Sequence, residues 1–153
     1  MLSDNSGRLT TSPIPVLVIK REIDHFFPKK ILFASDFDKE CTPVLKKLEK
    51  IANTYSAKID VVRINTVNNF ETTEQSELKI ADFLKETGIE INASHIYNDK
   101  SVEHGILHFA QKNNFDLIAL TTHGRRGLSH LFNGSIGEDL VNHALRPVIT
   151  FKI

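Results

Sequence analysis

Residues 116–135 read DLIALTTHGRRGLSHLFNGS, a short apolar run followed by a loop rich in glycine and arginine. The first six residues have the length and composition of a buried strand. The loop ends at Gly134 and Ser135, where the spacing of apolar residues predicts a helix over residues 135–144. A buried strand that leads through a loop into a helix is typical of a parallel sheet whose strands are joined by helical crossovers.

The same alternation of strand and helix extends on both sides of this stretch. Short apolar runs predict further strands over residues 31–34, 59–64, 89–97 and 147–153, and apolar residues at helical spacing predict a helix in each interval. Five strands separated by four helices indicate a three-layer α/β fold. Its five-stranded, mainly parallel sheet is expected to be covered by helices on both faces.

Capping residues mark the ends of the predicted helices. Thr42 is expected to cap the first helix, with a proline at its first position, although Asp38 would allow an earlier start. Gly88 is expected to end the second helix, whose buried face would include Leu78, and Ser101 to cap the third. In sheets of this kind ligands bind beyond the carboxyl ends of the strands. Function is therefore expected in the loops that follow Ala34, Ile64, Tyr97 and Thr121.

Composition excludes several classes of protein. Among 153 residues, 19 lysines and arginines balance 19 aspartates and glutamates, so the chain has no overall basic charge to attract nucleic acid or an anionic membrane. No apolar run approaches the roughly 20 residues of a membrane-spanning helix. The single cysteine, Cys41, excludes an intramolecular disulfide and a multi-thiolate metal site. We expect a cytoplasmic protein with neither nucleic acid nor membrane as partner.

The glycine-rich loop has the features of an anion-binding site. Glycines such as Gly124 and Gly134 let backbone amides approach a phosphate closely, and Ser135 adds a hydroxyl where a helix begins. Arg125 and Arg126 add positive charge. The alternative is that these glycines serve only a tight turn. The residues alone leave both interpretations open.

The spacing within this loop resembles the universal stress protein family. Nucleotide-binding members carry a Gly-x2-Gly-x9-Gly-Ser/Thr loop after the fourth strand of a five-stranded α/β fold of the adenine nucleotide alpha hydrolase type. Here Gly124, nine further residues and then Gly134 and Ser135 match, as do residues 122–124 and 146–148. The resemblance runs from about residue 28 to residue 153.

The resemblance implies that the chain binds an adenine nucleotide, with ATP as the expected ligand and Mg²⁺ as a possible companion. It implies that Asp36 accepts a hydrogen bond from the adenine edge, that Ile64 contacts adenine through its backbone, and that the loop holds the phosphates. The full set of expected nucleotide-binding residues is Ser35, Asp36, Ile64, Thr121, His123, Gly124, Arg125, Arg126, Gly134, Ser135 and Ile136.

Two positions differ from the pattern of the nucleotide-binding members. Thr121 stands where the family's loop has its first glycine, and Asn98 and Asp99 stand where a glycine usually lies beside the ribose. One alternative is therefore a nucleotide-free structural or dimerisation domain of the same fold. A slow ATPase is another, with Ser135 as a magnesium contact and His123 as a weak base. No dedicated catalytic residue is predicted.

The two ends of the chain resemble each other. Residues 13–20, PIPVLVIK, are similar to residues 146–152, RPVITFK. In two-domain members of the family such a strand closes one domain before the next begins, so residues 1–27 look like the tail of a preceding domain and residues 28–153 like a complete one. We expect residues 15–20 to pair antiparallel with Val148–Lys152, within one chain or between two chains of a homodimer or tandem pair. Chance similarity of short apolar strands is the alternative.

His104 and His108 lie one helical turn apart, a spacing that allows two imidazoles to share a metal ion. The sequence places no third ligand beside them. We therefore expect no metal site and interpret both as partly exposed residues of the third helix.

Overall fold

The computed structural model describes residues 14–122, 140 and 142–153, and only the backbone of Thr122. Three α-helices and six strands have defined bounds in these residues. The strands are β1 (Val16–Val18), β2 (Lys30–Ala34), β3 (Lys58–Asn65), β4 (Ala93–Asn98), β5 (Leu117–Thr122) and β6 (Val148–Lys152). The helices are α1 (Thr42–Tyr55), α2 (Thr73–Thr87) and α3 (Val102–Lys112), and a short 3-10 helix (Lys39–Cys41) precedes α1.

The strands form one sheet in the order β1-β6-β5-β2-β3-β4. β2 lies at the centre, parallel to β3 on one side and to β5 on the other, and β4 and β6 extend the parallel arrangement. Only the pairing of β1 with β6 is antiparallel among the described strands. The predicted α/β fold, with its parallel five-stranded sheet and added N-terminal strand, is confirmed.

The central strands carry apolar side chains on both faces of the sheet, and helices cover both faces. On one face Phe33 and Val61 pack against the buried sides of α1 and α2. On the other face Leu32 and Val62 pack against α3 and the helical residue Leu140. None of the described helices has the length and apolarity to cross a membrane.

Local signals set most helix ends as predicted. The Thr72 hydroxyl accepts from Gln75 N–H in a reciprocal capping box before α2, and Gly88 ends that helix with a left-handed φ of 68°. The Ser101 hydroxyl accepts from His104 N–H at the start of α3. The N-cap of α1 is Cys41, one residue before the expected Thr42. Asp38, the predicted alternative, precedes the 3-10 helix, although its side chain forms no capping hydrogen bond.

Two details of the predicted elements were wrong. Strand β4 begins at Ala93 and not at residue 89, because Ile89 is buried in the core without joining the sheet. Leu78 was expected on the buried side of α2 but is 59% exposed, and Ile80 and Phe83 are buried instead. Of the fourth predicted helix, residues 140 and 142–144 are described; residues 140, 142 and 143 are helical and Ala144 is not.

The N-terminal strand lies where the internal repeat predicted. Val16 pairs with Thr150, Leu17 with Ile149 and Val18 with Val148, all within one chain. Lys20 Nζ also donates to the backbone carbonyl of Asn142. The paired stretch is shorter than the predicted residues 15–20, and it covers the outer edge of β6 that would otherwise be open to another strand.

Candidate functional site

The sheet reverses its winding between β2 and β5. From β2 the chain crosses to β3 and then to β4 on one side, and it returns past β2 to form β5 on the other. At such a reversal a ligand-binding crevice is expected at the carboxyl ends of the two strands. The candidate site lies at this edge.

Three consecutive residues shape the end of β2. Ser35 is buried, and its hydroxyl accepts a hydrogen bond from Phe37 N–H at 2.9 Å. Phe37 has a φ of 62°, which L-residues seldom adopt, and its ring packs edge-on against Phe33 and Phe83. Asp36, between them, is only 7% exposed. The tight turn thus fixes a carboxylate at the crevice while its neighbour is anchored in the core.

Cys41 forms the floor between the two strands. Its Sγ lies 3.9 Å from Asp36 Oδ1 and 3.9 Å from Thr121 Oγ1. Burial, with a further contribution from the Asp36 charge, raises the pKa of this thiol to about 11. The thiol is therefore protonated near neutral pH and is not a nucleophile.

Thr121, where the resemblance would have glycine, is completely buried. Its hydroxyl faces Cys41, on the same side of the sheet as α1. The side chain therefore belongs to the wall beneath the crevice. A threonine can stand at the position of the family's glycine because its side chain packs toward the core.

The end of β3 is closed by a short hydrogen-bonded loop. Asn69 Oδ1 accepts from both the backbone N–H and the hydroxyl of Thr66, at 2.6 and 2.7 Å, and its Nδ2 donates to the Ile64 carbonyl at 3.3 Å. Asn65 is 5% exposed and donates from Nδ2 to the Glu71 carbonyl, while its Oδ1 has no hydrogen-bond partner in the described part of the chain. Asn65 and Asn69 were not predicted, although polar residues just after a buried strand are a usable signal.

The end of β4 carries a carboxylate with two imidazoles. Asp99 Oδ1 lies 2.8 Å from His104 Nδ1, and Asp99 Oδ2 lies 3.6 Å from His108 Nδ1. Burial by itself would raise the pKa of Asp99, but hydrogen bonds from Lys100 N–H and His104 and the charge of His104 together lower it. Asp99 therefore stays ionised at neutral pH.

The structure brings together four of the residues expected to bind nucleotide. Ser35, Asp36 and Thr121 flank the crevice around Cys41, and Ile64 lies on the neighbouring strand, two residues beyond Val62, whose carbonyl accepts from Ser35 N–H. The other expected residues, His123, Gly124, Arg125, Arg126, Gly134, Ser135 and Ile136, lie outside the described part of the chain.

A groove of about 460 Å³ lies at the opposite end of the sheet, between residues 21–28 and the segments that precede β5 and β6. Its lining includes Phe27, which is 67% exposed. Because it lies at the amino ends of the strands, it is separate from the candidate site.

Comparison with known sequences assigns most of the chain to one family. Residues 28–152 match the sequence profile of the Universal stress protein family. A universal stress protein of Methanocaldococcus jannaschii, MJ0531, is 24% identical over an alignment of 141 positions, gaps included, that covers 81% of this chain and 82% of that protein. One from Synechocystis is 26% identical over an alignment of 159 positions, gaps included, that covers 99% of this chain but 52% of that protein. The chain thus spans about half the length of the second relative.

Solved structures share the fold. A protein of unknown function from Pseudomonas aeruginosa gives a TM-score of 0.69 at 23% identity, over 99% of this chain and 60% of that one. A universal stress protein in complex with cAMP gives 0.61 at 13% identity, over 82% and 98% of the two chains. One from Archaeoglobus fulgidus in complex with dAMP gives 0.57 at 18% identity, over 82% and 98%.

Proposed function

This chain belongs to the universal stress protein family, and from that premise we propose that it binds an adenine nucleotide in the crevice between β2 and β5. We propose ATP as the ligand. Two structural neighbours are complexes with cAMP and dAMP, both of which carry adenine. We propose that the domain acts in the stress response by binding a nucleotide, and not as a dedicated catalyst.

The observation that carries this proposal is the position of Asp36. The residue is 7% exposed and follows β2 closely, at the carboxyl end of the strand where the sheet reverses its winding. An ionised carboxylate accepts hydrogen bonds and donates none, and the exocyclic amine of adenine can donate one. A largely buried acceptor of this kind favours a base with an amine over a base with a carbonyl at the same position.

The neighbouring strand offers further contacts to the base. The Ile64 carbonyl accepts one hydrogen bond from Asn69 Nδ2 and retains a second lone pair. The Asn65 Oδ1 acceptor lacks a partner among the described residues. Because the Thr66–Asn69 hydrogen bonds already order this loop, binding there would require little further ordering of the backbone.

We assign the phosphates to the glycine-rich loop. Gly124 and Gly134 would allow close approach of backbone amides, Arg125 and Arg126 would contribute positive charge, and Ser135 would add its hydroxyl. Serine hydroxyl and phosphate oxygens are hard ligands of the kind that Mg²⁺ prefers. An Mg²⁺ ion bound there would neutralise phosphate charge.

A thermal-shift titration tests the proposed function. A ligand that binds only the folded state stabilises it by about 2.7 kcal/mol at 100 times its Kd. For a protein of this size that raises Tm by about 5 to 10 °C. ATP is expected to give this shift and AMP and cAMP smaller ones, each measured with and without Mg²⁺.

The variant Gly134→Leu is expected to abolish the ATP shift, because its side chain would occupy the space next to the phosphates. Gly127→Leu is the matched control: it lies in the same loop but outside the Gly-x2-Gly-x9-Gly-Ser spacing, and should retain the shift. The absence of any shift at millimolar ATP in the unchanged protein would instead favour a nucleotide-free structural domain.

We further propose that residues 1–27 are the tail of a preceding domain and that like domains associate along β6. The Synechocystis relative aligns with 99% of this chain while extending well beyond it. β1 occupies the β6 edge from Val148 to Thr150 in the same chain. A homodimer through that edge would therefore exchange residues 15–20 between two chains or release them.

Light scattering with and without ATP measures this association. The dimer fraction is expected to rise with ATP, because the proposed phosphate-binding residues lie in the segment of the sequence that links β5 to β6. A mass that stays monomeric at every protein concentration, with saturating ATP present, would contradict nucleotide-dependent association.

A further inference from the structure

Asp99, His104 and His108 form a compact group of metal-ligand side chains, here called the Asp99 cluster. One ligand atom from each residue lies within 4.8 Å of the other two. His104 and His108 project from one face of α3, and their rings meet edge-on at a centroid distance of 5.5 Å. Both rings face the same carboxylate, which comes from the end of β4.

The fold holds the carboxylate of this cluster in place. Asp99 N–H donates to the Asn65 carbonyl at 3.0 Å, and Asp99 Oδ1 accepts from Lys100 N–H at 2.6 Å. The side chain of Asp99 is only 10% exposed. Its position is therefore fixed by the sheet and the following turn, whereas the two imidazoles are 48% and 52% exposed and can rotate.

A glycine brings α3 close enough for the cluster to form. A Cβ at Gly105 would lie 2.6 Å from Ile64 Cγ2 and 3.1 Å from Asp99 Cβ. Because glycine has no Cβ, the first turn of α3 packs directly against Ile64 of β3 and against Asp99, which follows β4. Beside it, the Tyr97 hydroxyl lies 3.1 Å from His108 Nδ1, so a metal ion bound through Nδ1 would replace that contact.

Two imidazole nitrogens and one carboxylate oxygen suit a borderline-soft divalent ion such as Zn²⁺. With metal–ligand bonds of about 2.0–2.1 Å, ligand atoms in a tetrahedral site lie roughly 3.3 Å apart. The present separations between a histidine Nδ1 and an Asp99 carboxylate oxygen, 2.8 Å for His104 and 3.6 Å for His108, lie on either side of that distance. Mg²⁺ and Ca²⁺ prefer oxygen ligands and should not compete.

We propose that the Asp99 cluster binds one divalent transition-metal ion of the zinc type, with a coordination position left for water or another ligand. The site does not depend on the proposed nucleotide binding. Two of its ligands come from α3 and the third from the residue that follows β4, and β4 is separated from β2 by β3.

Calorimetric titration of the full-length, tag-free chain with ZnCl₂ tests the site without nucleotide. The unchanged protein should bind one Zn²⁺, and His104→Gln and His108→Gln should each weaken binding at least 10-fold. The matched control is His143→Gln, since His143 Nδ1 lies 2.9 Å from Glu103 Oε1 but, among the described residues, His143 belongs to no group of three metal-ligand side chains. MgCl₂ should give no binding heat.

Co²⁺ gives a second readout, because tetrahedral Co²⁺ bound to the unchanged protein should show visible absorption that both histidine variants lose. Circular dichroism in EDTA should show all variants folded, since the substituted rings are exposed. The proposal is overturned if the unchanged protein binds no Zn²⁺, if either His104→Gln or His108→Gln binds as tightly as the unchanged protein, or if His143→Gln weakens binding equally.

Discussion

Asp36→Asn is expected to weaken ATP binding by about 10- to 100-fold. Asparagine keeps the shape of the side chain but removes the negative charge from a position that is 7% exposed. A hydrogen bond to a charged group contributes about 1.5–3 kcal/mol, and each 1.4 kcal/mol changes affinity about tenfold. Competition of unlabelled ATP against a fluorescent adenine nucleotide measures the change.

Base selectivity provides a second test of the role of Asp36. ITP differs from ATP at the base, where a carbonyl oxygen replaces the exocyclic amine. A carboxylate facing that oxygen would be left without a donor, so the unchanged protein should prefer ATP by about 10- to 100-fold. Asp36→Asn should reduce the preference, because an asparagine amide can turn its NH₂ group toward a carbonyl.

Asp38→Asn is the matched control for both measurements. Asp38 lies two residues further on, is 51% exposed at its side chain and forms an ion pair with Lys79 at 3.3 Å. An exposed pair of this kind contributes little, and its loss should leave ATP affinity within about twofold. If Asp36→Asn and Asp38→Asn behave alike, adenine is not bound at Asp36.

Phe37→Ala is expected to lower the free energy of unfolding by about 3–5 kcal/mol. The ring is 3% exposed and packs against Phe33 and Phe83 at centroid distances of 6.5 and 5.4 Å. Alanine would keep the unfavourable φ of 62° and lose the packing that holds the turn in place. The expected fall in Tm, about 6 to 20 °C, is measured by thermal unfolding.

Because Phe37 directly follows Asp36, its removal should also weaken ATP binding several-fold at a temperature where the variant is folded. Phe70→Ala is the control, since Phe70 is 71% exposed and its loss should change stability by no more than about 0.5 kcal/mol. Equal losses of stability in the two variants would mean that the turn is not anchored by Phe37.

The layered fold could be predicted from local patterns because the chain alternates strand and helix without interruption. The errors in strand boundary and helix face arose where an apolar residue does not take the position that its pattern predicted. Ile89 fills the core between α2 and β4 without pairing in the sheet, so its apolar character extended the predicted strand. Leu78 fits the helical spacing but is 59% exposed, because the packing partners of α2 favour the side with Ile80 and Phe83.

The position of a candidate site residue could be predicted when it depends on one short segment. Contacts between segments that are distant in the sequence could not be predicted in this way. Asp36 follows its strand directly, so its place at the crevice could be predicted from the alternation. The burial of Thr121 against Cys41 joins the end of β5 to the 3-10 helix that follows β2, 80 residues earlier in the chain, which no local pattern reveals. The histidine pair was visible in the sequence, but the carboxylate of Asp99 joins it only through the turn between β4 and α3.

Calorimetric titration of the unchanged chain with ATP tests the central proposal most directly. The proposal that this universal stress protein domain binds an adenine nucleotide between β2 and β5 predicts saturable heat with one ATP bound per chain, strongly weakened by Asp36→Asn and retained by Asp38→Asn. The absence of saturable heat up to millimolar ATP would contradict it, as would binding that Asp36→Asn leaves unchanged.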